Sequence, residues 1–164
     1  MMTDDTPDRI EKQIDLKAPL ATVWAALTDH VQFGRWFGVR VGQPFTPGAT
    51  IRCAITPTTV DATVAAAQKP HEGKTFDIYV ERIEPTRLFS FRWHPYAIDE
   101  GRDYSREPTT LVEFTLEEVA GGVRLRVTES GFSGIPADRR AQAFAMNDGG
   151  WAMQTTLIAK YLAR

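Results

Sequence analysis

The stretch VRLRVTESGFSGIP, residues 123–136, alternates so that Val123, Leu125 and Val127 share one face of a strand and Arg124, Arg126 and Thr128 the other. Continued by one step, the same count puts Glu129 on the apolar face. A carboxylate there costs several kcal/mol unless donors surround it. Candidate donors are Trp36, Trp151, Asn147, His94, an arginine such as Arg92, or a ligand's own polar group. A bulge or strand end at Thr128 would instead turn Glu129 to solvent.

Acid–base chemistry at Glu129 requires a second ionisable group within hydrogen-bond reach of the same atom, and His94 and Asp148 are the candidates for that catalytic pairing. His94 closes a strand beside Trp93. His30 and His71 lie apart from it, so three scattered histidines set out no metal site, and the single Cys53 reads as a small core residue. No nucleophile elbow, phosphate loop or dinucleotide fingerprint occurs, and neither a metal nor a cofactor is expected.

The aromatic residues give a second constellation. Phe89, Phe91 and Trp93 share one strand face, Phe114 falls with Val112 and Leu116, and Phe144 and Trp151 share a helix face. With Phe76 from a neighbouring strand they should converge on one interior, either as packing or as the lining of a pocket. Trp36 and Phe37 are candidates for the entrance of that pocket, and RWFG could equally be an apolar patch for a protein partner or for a homodimer.

Positioning these residues requires a definite order of elements. RIEKQIDL predicts a half-buried strand over 9–16, and Leu20, Val23, Trp24 and Leu27 predict a short helix from about Pro19 to Thr28. A second short helix ends at Gly38. Strands are then predicted over Val39 to Phe45, Thr50 to Thr56, Lys74 to Glu84, Arg87 to His94, Thr110 to Val119 and Val123 to Glu129, with TPGA, EPTR and AGG as turns of an antiparallel meander. Two longer connections, Pro57 to Gly73 and Pro95 to Thr109, have the length of functional loops, and ATVAAA in the first suits a turn of helix or an extended hairpin. Helical spacing returns from Ala137 to the end. Gly149 and Gly150 in its middle imply a close neighbour that excludes side chains, or a bend.

Composition narrows the class further. The chain has 164 residues, 43% hydrophobic and 24% charged, with a formal charge of −2 and no block of like charge, so nucleic acid is not an expected partner. No apolar run reaches the roughly 18 residues of a membrane span, and the polar N-terminus MMTDDTPDR lacks the pattern of a secretory signal, so a cytoplasmic protein is expected. Residues 1–8 read as a disordered tail and 9–164 as one domain.

The motifs APLATVWAALTD with RWFG, IEPTRLFSFRW, VEFTLEEVAGGVRLRVTESGF and GGWAMQTTLIAKYL resemble the START-like (SRPBCC) superfamily. Within it they are most similar to the branch related to the C-terminal domain of the activator of the ninety-kilodalton heat-shock protein's ATPase. The resemblance runs from Ile10 to Leu162, outside the two long connections. It implies an α+β helix-grip fold, in which a curved antiparallel sheet wraps a long C-terminal helix after a first strand and two short helices. It also implies a cavity between helix and sheet for an apolar or amphipathic small molecule, with Trp36, Phe37, Phe76, Phe89, Phe91, Trp93, Phe114, Glu129, Phe144 and Trp151 as ligand-binding candidates. Two alternatives follow from the same resemblance: a cyclase, dehydratase or hydrolase working in that cavity, and a protein-partner domain without a ligand. A co-chaperone role is not expected, because the eukaryotic activator engages the chaperone through a separate N-terminal domain for which this chain has no room.

Overall fold

Short-range chemistry sets the boundaries of the elements in the computed structural model, which describes residues 5–164. After strand β1 (Arg9–Leu16), helix α1 (Leu20–Thr28) ends at Asp29, whose side chain accepts hydrogen bonds from the N–H groups of Val31 and Gln32 and so begins helix α2 (His30–Phe37). Helix α2 stops at Gly38, which takes φ 92°, the left-handed conformation that a residue without Cβ adopts freely.

The chain continues through β2 (Val39–Val41), β3 (Thr50–Ile55), α3 (Ala62–Gln68), β4 (Thr75–Glu84), β5 (Leu88–Trp93), β6 (Thr110–Val119), β7 (Gly122–Ser130) and α4 (Ala137–Leu162). The seven strands form one antiparallel curved sheet in the order β1-β7-β6-β5-β4-β3-β2, so the first strand closes the meander beside the last. With two short helices after β1 and the long α4 at the end, this is the helix-grip α+β fold.

Two details depart from the sequence reading, and a third decides an alternative it left open. Strand β2 ends at Val41 rather than Phe45, since Pro44 can donate no ladder hydrogen bond; Phe45 still reaches the core, against Phe33 and Phe89. The segment containing ATVAAA is the helix α3, capped by Asp61, whose side chain accepts from the Val64 N–H at 2.9 Å. Helix α4 runs unbroken through Gly149 and Gly150, and a Cβ at either position would meet nothing within 4 Å. No close neighbour therefore demands glycine there.

The core comes from the inner faces of the strands and the facing sides of the helices. Ile51, Ile78, Phe89, Phe91, Val112, Phe114, Leu125 and Val127 from the sheet meet Val23, Leu27, Trp36, Trp151, Leu157 and Ile158 from the helices. Fully burying each such side chain contributes roughly 1.5–3 kcal/mol, so α4 is integral to the folded state.

Of the tail expected over residues 1–8, residues 1–4 lie outside the described residues. Asp8 is held: its carboxylate accepts from the Ser133 N–H at 3.0 Å and the Ser133 hydroxyl at 2.6 Å, which lower its pKa. Among the described residues no helix is long and apolar enough to cross a membrane, and no group of His, Cys, Asp or Glu is placed to hold a metal ion.

Candidate functional site

The alternation of β7 holds through its end. Glu129 pairs with Ile10 of β1 and Val112 of β6 without a break in register, points inward and is fully buried. Its carboxylate is met by donors from three elements. Oε2 accepts from the Trp93 indole at 2.7 Å and from the Thr110 hydroxyl at 2.6 Å, and Oε1 accepts from the Trp151 indole at 2.8 Å. The Asn147 side-chain amide bridges both oxygens at 3.0 and 3.1 Å. Trp93 and Thr110 are register partners on β5 and β6, while Asn147 and Trp151 are four residues apart on α4. All four donors are neutral, and two indoles and an amide N–H can only donate.

Asn147 and Trp151 were among the donors anticipated from the sequence; Trp36, His94 and Arg92 were anticipated but serve elsewhere. The Trp36 indole donates to the Ala26 carbonyl at 2.8 Å, and Trp36 lies in the core rather than at an entrance. His94 sits 3.1 Å from the Glu107 carbonyl through Nε2 and edge-on to Tyr79. Arg92 pairs outward with Glu81 at 2.6 Å. Asp148 faces β1, where it pairs with Lys12 at 3.0 Å. Neither His94 nor Asp148 is a hydrogen-bond partner of Glu129, so the structure does not bring the anticipated acid–base pair together.

The aromatic residues do converge. Trp93 and Trp151 stack at 5.9 Å, and Phe114 meets Trp151 at 5.7 Å and Phe91 at 6.1 Å. Phe37 lies 6.4 Å from Trp93 and 6.0 Å from Trp151, while Phe76 lies 6.0 Å from Trp93. Phe89, Phe91 and Phe114 are buried and form the floor; Phe37, Phe76 and Trp93 are half-buried and form the rim. Phe144 stands apart from this group, two turns nearer the start of α4, against Phe132 at 5.2 Å.

The rim continues onto α4. Gln154 is 7% exposed, its Nε2 donates to the Phe37 carbonyl at 3.0 Å, and its Oε1 has no hydrogen-bond partner. The side chain of Gln68, at the end of α3, reaches the same carbonyl at 3.3 Å and accepts from the Thr58 N–H at 2.7 Å. Gly150 lies between Asn147 and Gln154 on the helix surface with open space above it. At about 100° per residue it is roughly 160° around the helix from Asp148, hence on the flank away from β1.

Behind Trp93 the Pro95 to Thr109 connection is fastened to the start of α4. Arg139 is buried, donates to Glu107 at 2.8 Å and to the Pro95 carbonyl at 2.6 Å, and stacks over the Tyr104 ring at 4.7 Å. Arg102 donates to Glu107 at 2.8 Å and to Asp138 at 2.7 Å. The Arg102 partnership holds the Asp138 carboxyl below the ordinary carboxylate range. Sequence reasoning missed Thr110, Gln154 and this ionic cluster. Thr110 could have been found, since it has the same parity as Val112, Phe114 and Leu116 on β6; the pairing of Arg139 with Glu107 spans 32 residues and leaves no local signal.

A protein-family model described as activator of Hsp90 ATPase homolog 1-like protein matches residues 17–163. Among solved structures, DynU16, a protein of the dynemicin biosynthetic locus, is 27% identical with a TM-score of 0.68, over 96% of this chain and 48% of its own. This chain thus spans about half of DynU16. MLL2253 from Mesorhizobium loti is 20% identical with a TM-score of 0.69, over 95% of this chain and 97% of its own. CalU16 from Micromonospora echinospora is 20% identical with a TM-score of 0.59, over 94% of this chain and 74% of its own. The likeness to MLL2253 and CalU16 is one of fold. No curated protein matches the chain.

Proposed function

The chain belongs to the activator of Hsp90 ATPase homolog 1-like family, and from that premise we propose that it is a small-molecule binding domain, taking an apolar or amphipathic ligand at the aromatic rim between α4 and the sheet. The observation that carries the reading is the cluster of Phe37, Phe76 and Trp93: three half-buried rings from three elements lie together against Trp151 of α4. Ligand sites combine such apolar walls with a few placed polar groups. Placement of DynU16 in a biosynthetic locus is the setting in which a small-molecule ligand is expected.

Glu129 serves this site as a positioning residue: by taking the N–H of both Trp93 and Trp151 it fixes the half-buried Trp93 indole against the buried Trp151. The alternative of acid–base catalysis draws no support from His94 or Asp148, which face other partners. The protein-partner alternative looks to an exposed apolar surface around Trp36 and Phe37; Trp36 is in the core and Phe37 is half-buried against Trp93 and Trp151.

Naphthalene is a suitable first probe, read through tryptophan fluorescence or protein chemical shifts. Saturable binding is expected, and Phe76→Leu, which removes a half-buried ring beside Trp93 while keeping an apolar side chain, should weaken it about two- to tenfold with folding intact. Unsaturable changes, or equal affinity in Phe76→Leu, would overturn the assignment. Native mass spectrometry of freshly purified protein then looks for the natural ligand.

A further inference from the structure

We infer that the surface cleft between α2 and the edge strand β2 is a second binding site, which takes a carboxylate carried on a short apolar body. It is separate from the aromatic rim and does not depend on the binding reading above. The cleft has a volume of about 280 Å3 and is lined by Val31 and Arg35 of α2, by Val39, Arg40 and Val41 of β2, and by Pro57. At about 100° per residue, Val31, Gly34 and Arg35 share one side of α2, while the buried Phe33 and Trp36 lie on the other. Gly34 stands against the strand: a Cβ there would come within 2.3 Å of the Val39 carbonyl oxygen, so helix and strand edge meet closely at that point. Strand β2 is the last of the sheet. The Gly38 carbonyl accepts from the Thr56 N–H and the Gly42 N–H donates to the Arg52 carbonyl, so by the alternation of an antiparallel ladder the N–H of Val41 faces away from β3, toward the open edge.

Charge selects the occupant. Most arginines of this chain pair with a carboxylate, as Arg52 does with Asp77 and Arg124 with Asp15. Arg35 and Arg40 have no such partner among the described residues, both are exposed, and both border this one cleft. No acidic side chain lines it, and Asp29, the carboxylate beside α2 in sequence, is taken up in capping that helix through the N–H groups of Val31 and Gln32. Two cations bordering a concave surface focus a positive field there and concentrate anions. The planar fork of a guanidinium matches a carboxylate in particular. The apolar side of the ligand is set by Val31, which is 49% exposed and one of three large hydrophobic residues so exposed among those described, and by the half-buried Pro57. At roughly 30 Å3 for each water displaced, the cleft holds a molecule of about ten non-hydrogen atoms. A second copy of the chain fits less well, because a two-fold contact at this edge would set Arg40 against Arg40.

Octanoate, with octan-1-ol as its uncharged counterpart, tests the site by residue-resolved amide and indole chemical shifts. Octanoate should give saturable shifts at Val31, Val41 and Thr59, unchanged when naphthalene is present, and should bind about tenfold more tightly than octan-1-ol at low salt. Arg35→Gln and Arg40→Gln should each weaken octanoate about two- to fivefold, and the double variant should bring it level with octan-1-ol. Neither arginine side chain holds another group of the protein, so the double variant should unfold at the same urea concentration as its parent. Arg106→Gln, which removes an exposed charge outside the cleft, should leave octanoate affinity unchanged. Equal affinity for octanoate and octan-1-ol, or unchanged octanoate affinity in the double variant, overturns the inference. So does a loss in Arg106→Gln as large as in Arg40→Gln, which would show an effect of net charge alone. Octanoate shifts confined to the indoles of Trp93 and Trp151 would place the molecule at the aromatic rim and overturn this site while supporting that one. Absence of octanoate binding alongside saturable naphthalene binding overturns the second site and leaves the first standing.

Discussion

The indoles of Trp93 and Trp151 stack at 5.9 Å with 28° between their planes, and each gives its N–H to a different oxygen of Glu129. One ring stands on β5 and the other on α4, so a single carboxylate from β7 joins sheet and helix and sets the angle between two large side chains.

That relationship makes Glu129→Gln a stability variant before it is a binding variant. The new amide NH2 would face donors wherever it is placed, except at Thr110, whose hydroxyl can turn to accept. We expect a loss of about 3 kcal/mol, as for a buried donor left without an acceptor, together with a changed near-ultraviolet tryptophan signal. A urea unfolding midpoint within experimental error of the unmodified protein would contradict the role given to the carboxylate. Four protein donors around the group place the effect of this change on folding.

The glycines of α4 give the opposite sign. Gly149 and Gly150 lie inside an unbroken helix, and a Cβ at either meets nothing within 4 Å. Each Gly→Ala change should therefore add close to the intrinsic difference of about 1 kcal/mol. Thermal unfolding of Gly149→Ala and Gly150→Ala checks this, and destabilisation at either position would reveal a close approach that the geometry denies.

How far the sequence disclosed this molecule depended on whether the signal was local. Period-two alternation located β1, β6 and β7 almost to the residue and carried Glu129 to the correct face, because register in a sheet with one buried side leaves no freedom to slip. The stop of the second helix at Gly38 was equally local. What stayed hidden was which partners would meet. Gln154 reads as one polar residue in a helix, and nothing near it in sequence announces that Phe37, 117 residues away, will engage its N–H side and leave its oxygen bare. Trp36 misled for the same reason: its neighbour Phe37 reaches the rim while Trp36 turns into the core to bond Ala26.

Cys53 is buried on β3, and burial pushes its thiol up to about 12, with the nearby Asp77 charge adding to the shift. Only the thiolate reacts readily, so the folded protein should be inert to Ellman's reagent at pH 8 and should react with one equivalent in urea. The folded-state value lies above that of the unfolded chain, so this group's contribution to stability is complete below the unfolded pKa of about 8.5 and declines as pH rises toward 12. Rapid modification of the native protein would contradict the burial.

Acid should act through exposed caps and pairs. Asp8, bonded by Ser133, and Asp61, paired with Lys160 and capping α3, both have carboxyls held below the ordinary value of 3.8. A depressed folded-state value means a contribution that is present above the unfolded pKa and is lost as pH falls through the folded one. Asp8→Asn should therefore flatten the decline of unfolding midpoint below about pH 4 while leaving the midpoint at pH 9 to pH 10 parallel to that of the parent. An unchanged acid limb would remove Asp8 from the account.

The fastening of the Pro95 to Thr109 connection supplies the last test. Glu107 accepts from both Arg102 and Arg139, each at 2.8 Å, and Arg139 is among the buried residues, so removing the carboxylate leaves a guanidinium facing only the carbonyls of Pro95 and Tyr96 and the ring of Tyr104. Breaking one partner of a buried pair typically costs about 3–5 kcal/mol. Arg102→Ala leaves the Arg139 pair in place and removes an exposed contact to Asp138 and a partly buried one to Glu107, where pairs contribute less than between fully buried partners. Glu107→Ala should thus be the more damaging by a wide margin, and Arg139→Met combined with Glu107→Leu, which removes both charges, should recover much of the loss. Because Trp93 and Thr110 stand at the two ends of this connection and both bond Glu129, hydrogen exchange in Glu107→Ala should accelerate at β5 and β6 next to the aromatic rim as well as in the connection itself. Equal effects of Glu107→Ala and Arg102→Ala would show that the buried pair carries no special share of the fastening.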